Sequence, residues 1–388
     1  MKARITFILS LTTIITLAAG SAFGAYSGGT GEPNDPYRIA DANDLLDLAG
    51  NTVDYGKCFI LTADVNMEGQ VFTTAIIAAD TNSGGGFEGT AFTGTFDGNS
   101  HKITHFTING GSNYFLGLFG FNSGGLVKNL GVENCSVSGG IYVSGLVGVN
   151  EGSISNCYST GAVSGSSNSQ YVGGLVGCSS GSISNCYSTG AVNVSSNSYC
   201  VGGLLGFHDT GIVSNCYSTG SVTVGSNSWR VGGLAGGGGG GSISNCYSTG
   251  AVNSDSNSQG VGGLIGVSGD NISNCYSTGA VNSGSNSQDV GGLMGWNDGS
   301  ISSSFWDTQT SGQISSDGGE GKTTAEMKSL STFTSTGWNF VDVWGIGNGQ
   351  TYPYLKPLTG FNPADINYSG TVDFADFAIL ASHWLEGI

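Results

Sequence analysis

The chain has 388 residues, of which 70 are glycine and only 10% are charged, and its formal net charge is −17. Between residues 130 and 312 eight acidic side chains stand against one basic one, Arg230, which excludes nucleic acid and anionic membrane as electrostatic partners. With 38% hydrophobic residues the chain can bury a core, so its glycine and serine punctuate folded structure and do not mark disorder.

Met1-Lys2-Ala3-Arg4 is a basic start, Ile5 to Ala19 an apolar core and Ala22-Phe23-Gly24 a small-x-small cleavage signal. Residues 1–24 therefore read as a secretory signal peptide cut after Gly24, and the mature chain is expected outside the cell or at its surface. No later run reaches the eighteen or so apolar residues of a membrane helix. Residues 25–134 read as leader and capping coils. Gly31 to Ile39 is a turn followed by a strand, and Asp41 to Leu48 is a short helix with an acidic first turn that would close the open end of a stack. Cys58 to Val65 and Phe92 to Asn99 are strands, the second ending in an Asp-Gly turn.

His101-Lys102-Ile103-Thr104-His105 invites comparison with the zinc-protease helix His-Glu-x-x-His. Lys102 stands where the general base would be, and the alternation of His101, Ile103 and His105 predicts a strand. Two residues four apart on a strand lie roughly 13 Å from each other, too far to share one zinc.

Residues 135–312 are a repeat array. The cysteine of an Asn-Cys-Tyr core recurs at Cys157, Cys186, Cys216, Cys246 and Cys275, in steps of 29, 30, 30 and 29 residues. A period in that range marks a repeat architecture. Glu133-Asn134-Cys135 reads as an earlier copy, 22 residues before Cys157, lacking the Ser-Ser-Asn-Ser segment and making that segment a removable polar loop. Ser300-Ile301-Ser302-Ser303-Ser304-Phe305 is the last copy, with Ser304 in the cysteine's place. Each unit holds strand-length apolar runs and has no room for a helix. The expected fold is all-β: a parallel β-solenoid of 22–30-residue repeats with coils about 4.8 Å apart.

Ile154, Ile183, Val213, Ile243, Ile272 and Ile301 would stack inward, and Tyr158, Tyr187, Tyr217, Tyr247, Tyr276 and Phe305 would form an aromatic row. Isoleucine and cysteine are three apart, opposite faces of a flat strand. A bend is therefore expected at Asn156, Asn185, Asn215, Asn245 and Asn274, a residue type that tolerates left-handed backbone. Six of the nine cysteines fall in the column, counting Cys135, and Cys58, Cys178 and Cys200 lie outside it. Stacked cysteines allow a buried thiol ladder or bridges. Their parallel side-chain directions favour the ladder, and no Cys-x-x-Cys offers zinc spacing.

These units resemble the GLUG repeat, a bacterial extracellular family named for its Gly-Leu-hydrophobic-Gly signature. It is seen here in Gly145-Leu146-Val147-Gly148, Gly174-Leu175-Val176-Gly177, Gly203-Leu204-Leu205-Gly206, Gly263-Leu264-Ile265-Gly266 and Gly292-Leu293-Met294-Gly295, with Gly233-Leu234-Ala235-Gly236 as a smaller variant. The resemblance implies a secreted, adhesin-like surface protein and no defined reaction.

Residues 313–360 read as a closing cap. Gly318-Gly319-Glu320-Gly321-Lys322-Thr323-Thr324 lacks the first glycine of a phosphate-binding loop, since Ser316 stands there. Ala325 to Leu330 is expected to hold a helical turn. Trp338, Trp344 and Tyr352 to Leu355 either cover the last coil or stack on sugar rings.

In residues 361–388, Asp365-Ile366-Asn367-Tyr368-Ser369-Gly370-Thr371-Val372-Asp373-Phe374-Ala375-Asp376 carries side-chain oxygens at positions 1, 3, 5, 9 and 12 and glycine at position 6, the spacing of a twelve-residue Ca²⁺ loop. Phe377, Leu380, Ala381 and Trp384 then share one face of a helix. The segment resembles one half of a dockerin. By that resemblance Asp365, Asn367, Ser369, Asp373 and Asp376 would ligate Ca²⁺ by side chain and Thr371 by its carbonyl, and a cohesin-like module or cell-surface component would be the partner. Ser369 departs from the usual Asp, and one loop stands where a dockerin has two.

No catalytic residue is assigned. The function expected is a non-enzymatic surface scaffold that binds or displays through its solenoid. The alternative is a polysaccharide-binding, or polysaccharide-degrading lyase or hydrolase, β-helix. Such chemistry needs carboxylates converging on one face, whereas Glu151, Asp209, Asp255, Asp270, Asp289 and Asp298 are scattered among loop positions.

Overall fold

The computed structural model describes residues 26–82 and 85–356. The signal-peptide segment and the loop from Asp365 to Asp376 lie outside them. Strand after strand pairs in parallel with the strand one repeat later, so that sheets of ten, ten, thirteen and seven strands wrap a common interior among the described residues. In one coil Ser182–Ser184 belongs to the first sheet, Tyr187–Ser188 to the second, Val192–Val194 and Tyr199–Gly202 to the third, and Leu205–His208 to the fourth. The expected parallel β-solenoid is the fold. Ile183 pairs with Ile154 below and Val213 above, and Tyr187 with Tyr158 and Tyr217. Ser304 does take the cysteine's place, accepting the amide of Cys275 at 3.2 Å. The parallel pairing extends from Tyr37 to Lys322.

The bend between the inward isoleucine and the inward cysteine is made as the spacing demands. Asn156, Asn185, Asn215, Asn245 and Asn274 hold φ between 52° and 56°, and their amides hydrogen-bond along the stack, Asn215 Nδ2 to Asn185 Oδ1 at 3.1 Å. A second left-handed column, Asn168, Asn197, Asn227, Asn257 and Asn286, turns the chain within the third sheet. The Ser-Ser-Asn-Ser segment is thus an ordered corner, with Asn197 N–H donating to Ser226 of the next coil at 2.9 Å. One coil lacks it: between Gly139 and Ile141 the strand runs on where the next coil inserts the corner.

The register corrects the placement of the earliest copy. Gly131 pairs with Tyr158, and Asn156 donates to Asn129, so the counterpart of Cys157 is Leu130 and not Cys135. The step there is 27 residues instead of 22. Cys135 lies further along its coil, where a Cβ on Gly161 of the next would come within 2.1 Å of its sulfur. The Asn-Cys pair misled because Asn134 also occupies a left-handed corner, with φ 52°. Five cysteines therefore form the column. All nine are free thiols, and the column links itself by amide-to-sulfur bonds such as Cys157 N–H to Cys186 Sγ at 3.4 Å.

The Gly-Leu-x-Gly signature has a steric cause. A Cβ on Gly174 would lie 2.2 Å from Ser188 Oγ and 2.3 Å from the Gly203 carbonyl, and one on Gly206 would lie 2.5 Å from the Gly177 carbonyl. The chain crosses its neighbours so closely at these points that no side chain fits, while the leucine between the two glycines is fully buried.

Both ends are closed. Helix α1 (Ala42–Gly50) is N-capped by the Asp41 side chain and buries Leu45 and Leu48 in the core at the first coil. At the other end α2 (Thr324–Met327), begun by a capping box between Thr323 and Glu326, and α3 (Leu330–Thr334) bring Met327, Phe333, Trp338 and Trp344 onto Tyr276 and Phe305. Trp338 and Trp344 are buried there, so of the two roles expected for them the structure shows the capping one. Lys322 ends a strand, Glu320–Lys322, that pairs with Phe305–Asp307. His101 and His105 flank the strand Lys102–Thr104 and face separate partners, Asp64 at 3.1 Å and Thr104 Oγ1 at 3.0 Å.

Candidate functional site

Two aromatic ladders run along the solenoid. On the second sheet Tyr158, Tyr187, Tyr217, Tyr247 and Tyr276 stack with ring centroids 4.8–5.0 Å apart and planes within 6° of parallel. Each inner ring has a neighbour on both faces, so this ladder is closed on itself. Its last member, Tyr276, lies under the cap and donates to the Pro353 carbonyl.

The second ladder lies at the corner between the third and fourth sheets and is built differently. Phe115, Tyr142, Tyr171, Cys200, Arg230, Gly260 and Asp289 succeed one another coil by coil, all with φ between 53° and 65°. Bulky side chains seldom adopt left-handed backbone, and such residues concentrate where a surface is put to use. Phe115 and Cys200 are buried, Tyr142, Tyr171, Arg230 and Asp289 are half-buried, and flanking positions add more rings. Phe87 sits 4.9 Å from Phe121, Phe115 4.9 Å from Tyr142, Tyr142 5.0 Å from Tyr171 and Tyr199 5.0 Å from Trp229. Trp229 and Trp296 are 39% and 46% exposed. The Arg230 guanidinium carbon lies 4.7 Å from the Trp229 ring and 5.3 Å from that of Tyr199. Burial pushes the Tyr171 hydroxyl up to about 12.

The scattered carboxylates find local partners. Asp298 accepts Trp296 Nε1 at 2.7 Å, Asp289 accepts Gln259 Nε2 at 2.9 Å, and Glu151 accepts Ser123 Oγ at 3.2 Å. No ion pair joins Asp209, Arg230 and Asp255 among the described residues. No group of three or more His, Cys, Asp or Glu side chains there is arranged to hold a metal. The six proposed Ca²⁺ ligands, Asp365, Asn367, Ser369, Thr371, Asp373 and Asp376, lie outside the described residues.

One buried constellation escaped the reading of the sequence. His208 Nδ1 and Asp270 Oδ2, both fully buried, lie 3.3 Å apart although they belong to coils two apart. The intervening position is Gly238, where a Cβ would fall 1.8 Å from Asp270 Oδ2. Burial alone would raise the Asp270 carboxyl. His208, the Gly240 amide and the Ser268 hydroxyl outweigh it and hold the carboxyl below its ordinary range. The six-glycine run Gly236 to Gly241 was the visible signal, for it strips one coil of the side chains its neighbours carry.

A parallel β-solenoid with a signature glycine pair in each repeat is the class that these features define. Five segments, 139–164, 168–194, 197–223, 227–253 and 257–282, match the model of the GLUG motif. A stretch of 157 residues, 38% of the chain, is 33% identical to halomucin of Haloquadratum walsbyi (strain DSM 16790 / HBSQ001), of which it spans 2%. The fold is also that of a Bacteroides ovatus crystal structure described as a candidate immunoglobulin A1 protease, with a TM-score of 0.58, 24% identity and coverage of 86% of this chain and 96% of that one. No helix of the described residues is long and apolar enough to cross a membrane.

Proposed function

We propose that this chain is a secreted, non-enzymatic surface scaffold whose aromatic corner binds polysaccharide and whose tail attaches through a single Ca²⁺ loop. The observation that carries the binding role is the run of half-buried rings Tyr142, Tyr171 and Tyr199 leading to exposed Trp229, with exposed Trp296 two coils further on. The rings follow one another along the solenoid axis, Tyr142 5.0 Å from Tyr171, Tyr171 5.9 Å from Tyr199 and Tyr199 5.0 Å from Trp229. An extended polymer lying along that axis meets one ring per coil from Tyr142 to Trp229, and the apolar faces of sugar rings suit such a strip. The attachment role rests on the oxygen spacing from Asp365 to Asp376.

The test is retention of the full secreted chain on a panel of immobilised polysaccharides and on cohesin modules, with and without a chelator. Retention on a polysaccharide without release of reducing ends, weakened by the W229A/W296A double variant, is the expected result. Release of new reducing ends would replace the scaffold reading by a degrading enzyme. Calcium titration of the same chain should show one site that D365N or D373N removes; no calcium-dependent signal overturns the tail assignment.

A further inference from the structure

We propose that the cleft at Asp80 seats one uncharged sugar residue, a second carbohydrate site that goes beyond the ring run proposed above and uses none of its residues. The cleft has a volume of about 260 Å³ and is lined by Thr74, Asp80, Thr81, Asn82, Asn113 and Tyr114. That is just below the range of pockets for drug-sized ligands, which suits a single ring and not a length of polymer. Two segments of the chain build it, and Asn113 Nδ2 ties them by donating to the Thr73 carbonyl at 2.9 Å. Tyr114 opens the strand Tyr114–Leu116, whose register with Ile141 and Val143 puts the cleft one coil before Tyr142.

Asp80 is the one buried residue of the six, 7% exposed. Its Oδ1 accepts the amides of Thr81 at 2.9 Å and Glu88 at 2.8 Å, which fixes the carboxylate in place. Its Oδ2 is buried and has no partner. The basic side chains of these coils are engaged elsewhere, Arg38 with Asp35, Lys57 with Glu32, Lys102 with Glu133 and Lys128 with Asp97. A buried carboxylate oxygen left without a donor is costly, and a ligand in the cleft supplies one. The lining narrows what that ligand is. The hydroxyls of Thr74 and Thr81 already donate to the carbonyls of Ala75 and Glu88, which leaves them as acceptors beside Asp80. An acceptor-rich lining calls for many donors, and a sugar carries a hydroxyl on almost every ring carbon. The unpaired carboxylate repels uronates and phosphates. A bare cation leaves most of the volume to water and finds no second carboxylate in the lining.

The experiment titrates the full chain with the methyl pyranosides of glucose, galactose and mannose, with methyl glucuronide and with calcium chloride, reading saturation-transfer nuclear magnetic resonance for the sugars and calorimetry for the ion. At least one uncharged glycoside should bind, with a Kd of about 1 mM for a ring held by a few hydrogen bonds, and the glucuronide should not. D80N should weaken binding about tenfold or more, the worth of a charge-assisted bond, while the far-ultraviolet circular dichroism stays unchanged. N113A, from the other segment, should weaken it as well, and W229A/W296A should bind like the natural chain. Equal binding by the natural chain, D80N and N113A overturns the seat. Glucuronide binding as tight as that of the glycosides overturns the uncharged assignment. Calcium that binds the D373N chain and is lost on adding D80N makes the cleft a cation site and overturns the sugar. If W229A/W296A loses the glycoside and D80N keeps it, this inference falls and the ring run stands. If no glycoside binds, the inference falls, and the immobilised-polysaccharide assay decides the ring run separately.

Discussion

Asn215 shows how much one side chain does in this fold. Its backbone is left-handed, a conformation that costs most L-residues about 1–2 kcal/mol, and its amide bonds to the asparagine of the coil below. Asn215→Ala should lower the melting temperature by about 2–4 °C, and Asn215→Gly should recover most of the loss because glycine accepts the turn; equal losses for the two variants would contradict this account. These corners were legible because the three-residue spacing from isoleucine to cysteine admits no flat strand. The second asparagine column was not, since a serine-rich stretch with one asparagine reads equally well as an exposed loop. The buried pair makes a prediction of its own. Asp270 is held below its ordinary pKa in the folded chain, so the stability it contributes is complete above about pH 4–5 and is lost as the pH falls through the lowered value. D270N should therefore cost about 3 kcal/mol near neutrality and progressively less in acid. Melting both proteins from pH 7 to pH 3 measures the convergence.

Among the elements, the thiol column and the cap carry the clearest expectations. The column cysteines are buried between coils, and burial raises Cys157, Cys216 and Cys246 well above an ordinary thiol, while Cys178 is pushed up to about 12. A thiol reagent at pH 8 should label Cys58, which is partly exposed, well before the column, whose labelling should wait for unfolding. Early labelling of Cys216 would show that the stack opens readily. The cap is the second case. α2, α3 and the segment to Trp344 cover Tyr276 and Phe305, and without them an apolar coil and its parallel edge would face water. A chain ending after Lys322 should associate with increasing concentration in light scattering, whereas the full chain should not. Composition alone pointed to that cap, because tryptophan clusters after the last repeat. The 22-residue step was misread for a physical reason: the chain turns at several asparagine corners per coil, and only hydrogen-bonded register tells one corner from another.

At the scale of the molecule, the repeats build a uniform stem on which one corner is varied. The interior columns scarcely change from coil to coil, and the ladder from Phe115 to Asp289 changes at almost every step. The sequence disclosed the uniform part readily, since repetition is visible as such. It hid the varied part, because the members of that ladder lie about 30 residues apart and only Tyr142 and Tyr171 share a residue type. A consequence follows from the strict pairing of Tyr187 with Tyr217 and of Cys186 with Cys216. Excising residues 187–216 joins Cys186 to Tyr217 and restores every column one storey lower, so the protein is a ruler that can be shortened by whole divisions. The shortened chain should still fold with both lids in place, and its length, read by small-angle scattering, should drop by about 5 Å. Selection could then set the length of the stem by copying or dropping single storeys.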